Sequence, residues 1–140
     1  MEFRIDGLDE ELFKIKGFTK ALDKEIVEEL NDAGIDWWDD LKVNIHKVSG
    51  ELARTTTFDD AKKKGNTFTV GVSNNLEYAE HYEYGHRQEP GRFVPGLGKR
   101  LKKSFVKGQC TFRKAKIKHK KIILERVKAR VKKVEGDFSD

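Results

Sequence analysis

One cysteine, Cys110, stands in the 140 residues, which excludes an intramolecular disulfide and fits a reducing compartment. No apolar run approaches the roughly 20 residues that a membrane-spanning helix needs. The first residues, MEFRIDGLDEEL, lack the basic-then-apolar layout of a secretory signal. A soluble chain made in the cytoplasm is the expectation. No G-x-x-x-x-G-K-[ST] occurs, so the glycines at 85, 91, 96, 98 and 108 form no phosphate-binding loop of that type. Hydrophobic residues are also scarce, at 36% against 38% charged, yet nine Phe and two Trp argue against full disorder. The length suits a single domain, 1–140, with a modest core.

Charge is unevenly placed. Residues 1–98 carry 13 Lys/Arg against 20 Asp/Glu, a net of −7; residues 99–133 carry 16 basic residues and one acid, Glu125, a net of +15. The last seven residues add −3, which returns the overall +5. Such a polarised chain suits either nucleic acid or an acidic protein surface, a second copy of itself included.

Apolar residues Leu12, Ile15, Phe18, Leu22, Ile26, Leu30 and Ala33 recur at steps of three and four, which predicts an amphipathic helix over 9–33 with Asp9 as N-cap. Gly34 marks a break or kink. Ile35, Trp38, Leu41, Ile45 and Val48 then extend helical spacing to about Val48, and Ser49-Gly50 stops it. RTTTF (54–58) and NTFTVGV (66–72) read as strands, with the polar DDAKKKG between them as a hairpin turn and Asn74-Asn75 closing the second. Phe68, Val70 and Val72 share one face and should be buried. Leu97, Leu101 and Phe105 predict a short helix after Pro95 that ends at Gly108. Ile117, Leu124, Val127, Val131 and Val134 predict a final helix with a narrow apolar seam in a basic surround, which needs something to lie on. The fold class is α+β: a long N-terminal amphipathic helix, a small antiparallel sheet and C-terminal helices.

The densest chemistry is LEYAEHYEYGHRQEPGRFVPG (76–96). His81, Glu83 and His86 do not share a helix face, strand alternation separates them, and no Cys or further His completes a zinc pattern. Glu77, Glu80, Glu83 and Glu89 lack the contrasting environments that acid–base catalysis requires. Cys110 has no identifiable base, although Lys107 and Arg113 stand nearby. An enzyme is the weakest of the readings, and no metal or cofactor is called for. Tyr78, Tyr82 and Tyr84 suit instead a corner or interface, where rings are covered and hydroxyls stay wet. Gly85 can end a helical turn over 77–84 with a positive φ, and Glu89-Pro90-Gly91 forms a turn flanked by Arg87 and Arg92. In the basic segment Lys114, Lys116, Lys118, Lys120 and Lys121 are candidate contacts to phosphates or to an acidic partner; only Phe105 and Phe112 are at hand for base stacking.

NNLEYAEHYEYGHR followed by GRFVPGLGKRLKK resembles the signature of the tail-completion or head–tail joining (neck) proteins of tailed phages, in a form associated with contractile tails, defective prophages and phage-tail-like bacteriocins. The matching residues are Tyr78, Ala79, Glu83, Tyr84, Gly85, His86, Arg87, Gly91, Arg92 and Phe93. Upstream, SGELARTTTF (49–58) resembles the family's T-G-x-L-R stretch through Gly50, Leu52, Arg54 and Phe58, with Val48 close to where the family has a proline. Residues 9–107 cover the likeness; 108–140 form the basic helix and acidic tail. The resemblance implies a non-enzymatic virion protein, found in the neck or tail. It further implies a homo-oligomeric ring, such as a hexamer, between tail terminator, tube or sheath proteins and the head connector or adaptor, with nonspecific contact to genomic DNA and no membrane. Tyr78, Tyr82, Glu83, Tyr84, Gly85, Arg87, Arg92 and Phe93, with Gly50, Leu52 and Arg54, would form its structural or interface motif. The competing expectation is a nucleic-acid-binding module acting through 99–133.

Overall fold

A computed structural model describes residues 1–6, 20–45, 50–65, 67–96, 98–100, 102 and 104–138. The elements are β1 (Glu2–Ile5), α1 (Lys20–Asn44), α2 (Glu51–Thr55), β2 (Thr57–Lys64), β3 (Thr67–Ser73), α3 (Ala79–Tyr84), β4 (Gly85–Arg87), β5 (Phe93–Val94), β6 (Lys99–Arg100), β7 (Phe105–Lys107) and α4 (Thr111–Phe138). The class is α+β. Among the described residues no helix is long and apolar enough to cross a membrane.

The main sheet has the order β1-β3-β2, antiparallel throughout. Its central strand buries Phe68, Val70 and Val72, as the alternation predicts. β1, which the sequence pattern did not announce, sets Phe3 against Val72 and Ile5 against Val70. α1 lies on the sheet and α4 lies on α1 and β1. One stripe of α1 is buried, Leu22, Ile26, Leu30, Ala33, Trp37, Leu41 and Ile45. Burying each of its large side chains contributes on the order of 1.5–3 kcal/mol.

Gly34 does not break α1. A Cβ there would lie 2.7 Å from the Phe58 ring and 2.8 Å from Val70 Cγ2, so glycine is what lets the helix sit this close to the sheet. Because the helix runs straight on, the stripe continues through Trp37 and leaves Ile35 exposed, contrary to the expected Ile35–Trp38 face. Trp38 flanks the core instead, stacked on Phe58 and donating from Nε1 to Thr56 O at 2.9 Å. The expected N-cap Asp9, the first turns of that helix and Val48 lie outside the described residues.

Three further expectations are corrected. DDAKKKG is mostly strand: β2 runs to Lys64 as an edge, with Lys62 and Lys64 exposed and Lys63 paired with Asp23 of α1 at 2.6 Å, and the turn comes at Gly65. A register shift between Asp59 and Lys62 frees the Ala61 N–H, which donates to Asn31 Oδ1 of α1 at 2.7 Å. The described residues between Pro95 and Gly108 form no helix. Gly98 (φ +64) donates to Val94 O, the chain reverses, and β6 pairs with β5 while Phe105 enters β7; Leu97 and Leu101 lie outside the described residues. In α4 the buried seam is Phe112, Ala115, His119, Ile123, Val127 and Val131, and Ile117 is 63% exposed. Leu124 and Val134 only flank it. Val127 and Val131 lie on it as expected; the first half differs because His119, polar in sequence, is buried beside Asp40.

Candidate functional site

The tyrosine-rich stretch builds a corner where two passes of the chain meet backbone to backbone. α3 ends at Gly85 (φ +85), and the returning chain passes Gly108 before α4. A Cβ on Gly85 would overlap Val106 O, and one on Gly108 would overlap Glu83 O and Gly85 N, so neither strand of this crossing admits a side chain. The crossing is bonded through Gln109 N–H to Tyr82 O at 2.7 Å and Cys110 N–H to Glu83 O at 3.1 Å. The Tyr82 hydroxyl meets Thr111 Oγ1 at 2.9 Å.

Glu83 is fully buried, and its carboxylate caps α4. Oε1 accepts from Phe112 N–H at 2.7 Å and Oε2 from Arg113 N–H at 3.2 Å. Cys110, half-buried at φ +54, gives its carbonyl to Lys114 N–H and so takes the N-cap place without a side-chain oxygen to offer. A carboxylate borrowed from α3 fills that role, where the helix dipole also favours negative charge.

The histidines sit apart from that carboxylate. His81 and His86 meet edge to face, ring centroids 5.0 Å apart, in an open cleft of about 300 Å³ with Tyr78, Tyr82, Val106 and Lys107. Among the described residues no group of three or more His, Cys, Asp or Glu is placed to hold a metal.

Between Glu83 and Phe112 no described residue is buried. β4 pairs with β7 and, further out, β5 pairs with β6, so 85–107 is a nested two-stranded arm rooted at the corner. Arg87, Arg92 and Phe93 lie on its exposed surface. Tyr78 and Tyr84 are exposed at its root. The structure therefore divides the predicted motif. Tyr82, Glu83 and Gly85 hold the corner together, while Tyr78, Tyr84, Arg87, Arg92 and Phe93 face out.

Leu52 and Arg54 belong to α2 and Gly50 (φ +75) precedes it as N-cap; Leu52 is buried and Arg54 is exposed. Asn74, which the sequence marks only as the end of the second strand, links this group to the corner. Asn74, 1% exposed, donates from Nδ2 to Leu52 O at 2.9 Å and Thr56 Oγ1 at 3.0 Å, and accepts from Leu76 N–H at Oδ1. Its backbone meanwhile bonds Met1 in both directions.

The basic segment is partly neutralised within the chain. α1 and α4 run antiparallel and exchange ion pairs: Arg130 with Glu25, Glu28 and Glu29, Arg126 with Glu29 and Asp36, and Lys118 with Asp40. Asp40 also faces His119 Nε2 at 2.8 Å. The His119 hydrogen bond, more than the opposing burial or the Lys118 charge, holds the Asp40 carboxyl below its ordinary value. Acids at 25, 29, 36 and 40 against bases at 118, 126 and 130 were the available signal, at helical spacing on both sides. Of the other candidate contacts Lys114, Lys120 and Lys121 are exposed and Lys116 is half-buried.

No family model, curated protein or solved structure matches this chain.

Proposed function

We propose that this chain is a non-enzymatic structural protein of the tail-completion or neck region of a contractile phage tail or tail-like particle, working as a ring-forming joint at the head-proximal end. The observation that carries the proposal is the relation between the two stretches bearing the family likeness. Leu52 and Thr56 of the first stretch and Leu76 of the second are tied through Asn74, and the second roots an arm whose described residues add nothing buried to the core. A segment built so firmly at its base and left so open beyond it suits contacts with other chains. The test is deletion of its gene from a phage or prophage that encodes it, followed by electron microscopy of the lysate. Unjoined heads and tails are the expected outcome, and complementation by the intact gene should restore joined particles. Joined, infectious particles formed without the protein would overturn the proposal.

A further inference from the structure

The intramolecular ion pairs leave a surplus of positive charge with a definite location. In 85–107 there are seven basic residues, Arg87, Arg92, Lys99, Arg100, Lys102, Lys103 and Lys107, against one acid, Glu89, a net of +6. Among the described residues Arg87, Arg92, Lys99, Lys102 and Lys107 are all exposed. The α1 carboxylates that could have received such an arm from a second copy, Glu25, Glu28, Glu29, Asp36 and Asp40, are already engaged by α4. Other exposed acids, such as Asp32, Glu77 and Glu80, are scattered over α1 and the neighbourhood of α3. The one dense row of carboxylates is thus engaged inside the chain, and the arm's concentrated charge calls for an anion from outside.

We infer that the arm binds double-stranded DNA through its phosphates, without base specificity, and that the outer face of α4 around Lys114, Lys120 and Lys121 adds to the contact. Shape argues for the duplex: a two-stranded ribbon fits the B-form major groove, whereas the deep, narrow major groove of A-form RNA excludes it. Composition argues against single strands, since the arm offers only Phe93 and Phe105, each about half exposed, as stacking platforms. The inference does not rest on the neck proposal. It also moves the expected contact from the whole of 99–133 to the arm, because Arg126, Arg130 and Lys118 are turned to α1.

The experiment is fluorescence anisotropy of the full chain with a labelled random-sequence 25-base-pair duplex at 50 to 200 mM NaCl. If the arm engages about six phosphates, affinity should fall on the order of a thousandfold across that range, and only about 40-fold for R92Q/K99Q/K102Q. The single variant Arg92→Gln should flatten the log–log slope by about one, which keeps the test open if the triple variant folds poorly. R126Q/R130Q should keep the full slope. Absence of duplex binding at 50 mM NaCl overturns the inference, as does an unchanged slope in both arm variants or an R126Q/R130Q slope as flat as that of the triple variant. Equal competition by polyglutamate of matched charge, by RNA duplex or by single strands overturns it as well, the first marking an acidic protein site instead.

Discussion

Glu83 is the residue on which the corner depends. Its two oxygens answer two backbone donors of a helix that begins 28 positions later in the chain. Glu83→Ala would leave those donors buried without a partner, at a cost of about 1–3 kcal/mol. Chemical denaturation should register the loss as a lower midpoint with an unchanged slope. Asp40 makes a separate, pH-dependent contribution. Its carboxyl titrates lower in the folded chain than in the unfolded one, so its stabilisation is complete above the ordinary carboxylate range and disappears as pH falls below it. Asp40→Asn should therefore flatten the acid limb of a stability-versus-pH curve below about pH 4 and leave a pH-independent deficit above it. Glycine and tyrosine at the corner were legible in the sequence because a positive φ and an amphipathic ring are local properties. The Glu83 cap was not, because its partners lie far along the chain.

At the scale of elements, α1 shows how packing overrides a local signal. Glycine within a helix costs about 0.5–1 kcal/mol relative to alanine, which is why Gly34 reads as a break. Here the close approach to Phe58 and Val70 outweighs that cost. Gly34→Ala should lower stability by about 1–3 kcal/mol despite its better helix propensity, because the methyl group must displace an aromatic ring packed on Trp38. A rise in melting temperature for that variant would contradict this account. The helix expected after Pro95 failed for the converse reason: a spacing of four between Leu97, Leu101 and Phe105 carries no weight against Gly98, whose positive φ lies where the chain reverses. β1 went unseen because four residues at a chain end have too little pattern to show. α4 was visible as a helix with Val127 and Val131 on its seam, but the first half of the seam was missed, since the buried His119 does not look apolar.

For the whole molecule, the arm and the body are separable in energetic terms. Among the described residues, all the buried hydrophobic ones lie before Glu83 or from Phe112 onward, so the body should fold without the outer arm. Replacing residues 88–104 with a two-residue Asn-Gly turn joins β4 to β7 at the paired Arg87 and Phe105. That variant should melt within about 2 °C of the parent, since a shift of that size is under 1 kcal/mol. A large drop in melting temperature would mean the arm supports the core after all.

The sequence by itself determined the α+β class, the amphipathic stripe of α1 from Leu22 to Ala33, the buried face of β3, the turn at Gly85 and the division into acidic and basic parts. These follow from periodicity, backbone sterics and composition, each of which acts over a few residues or is a simple sum. Tertiary structure alone decided where the opposite charges meet. Glu25 to Asp40 and Lys118 to Arg130 close on each other within one chain because their helices run antiparallel over a shared core. What they leave over is the basic arm, which takes no part in these pairs. Complementarity of that kind depends on distance in space, which no window along the chain contains.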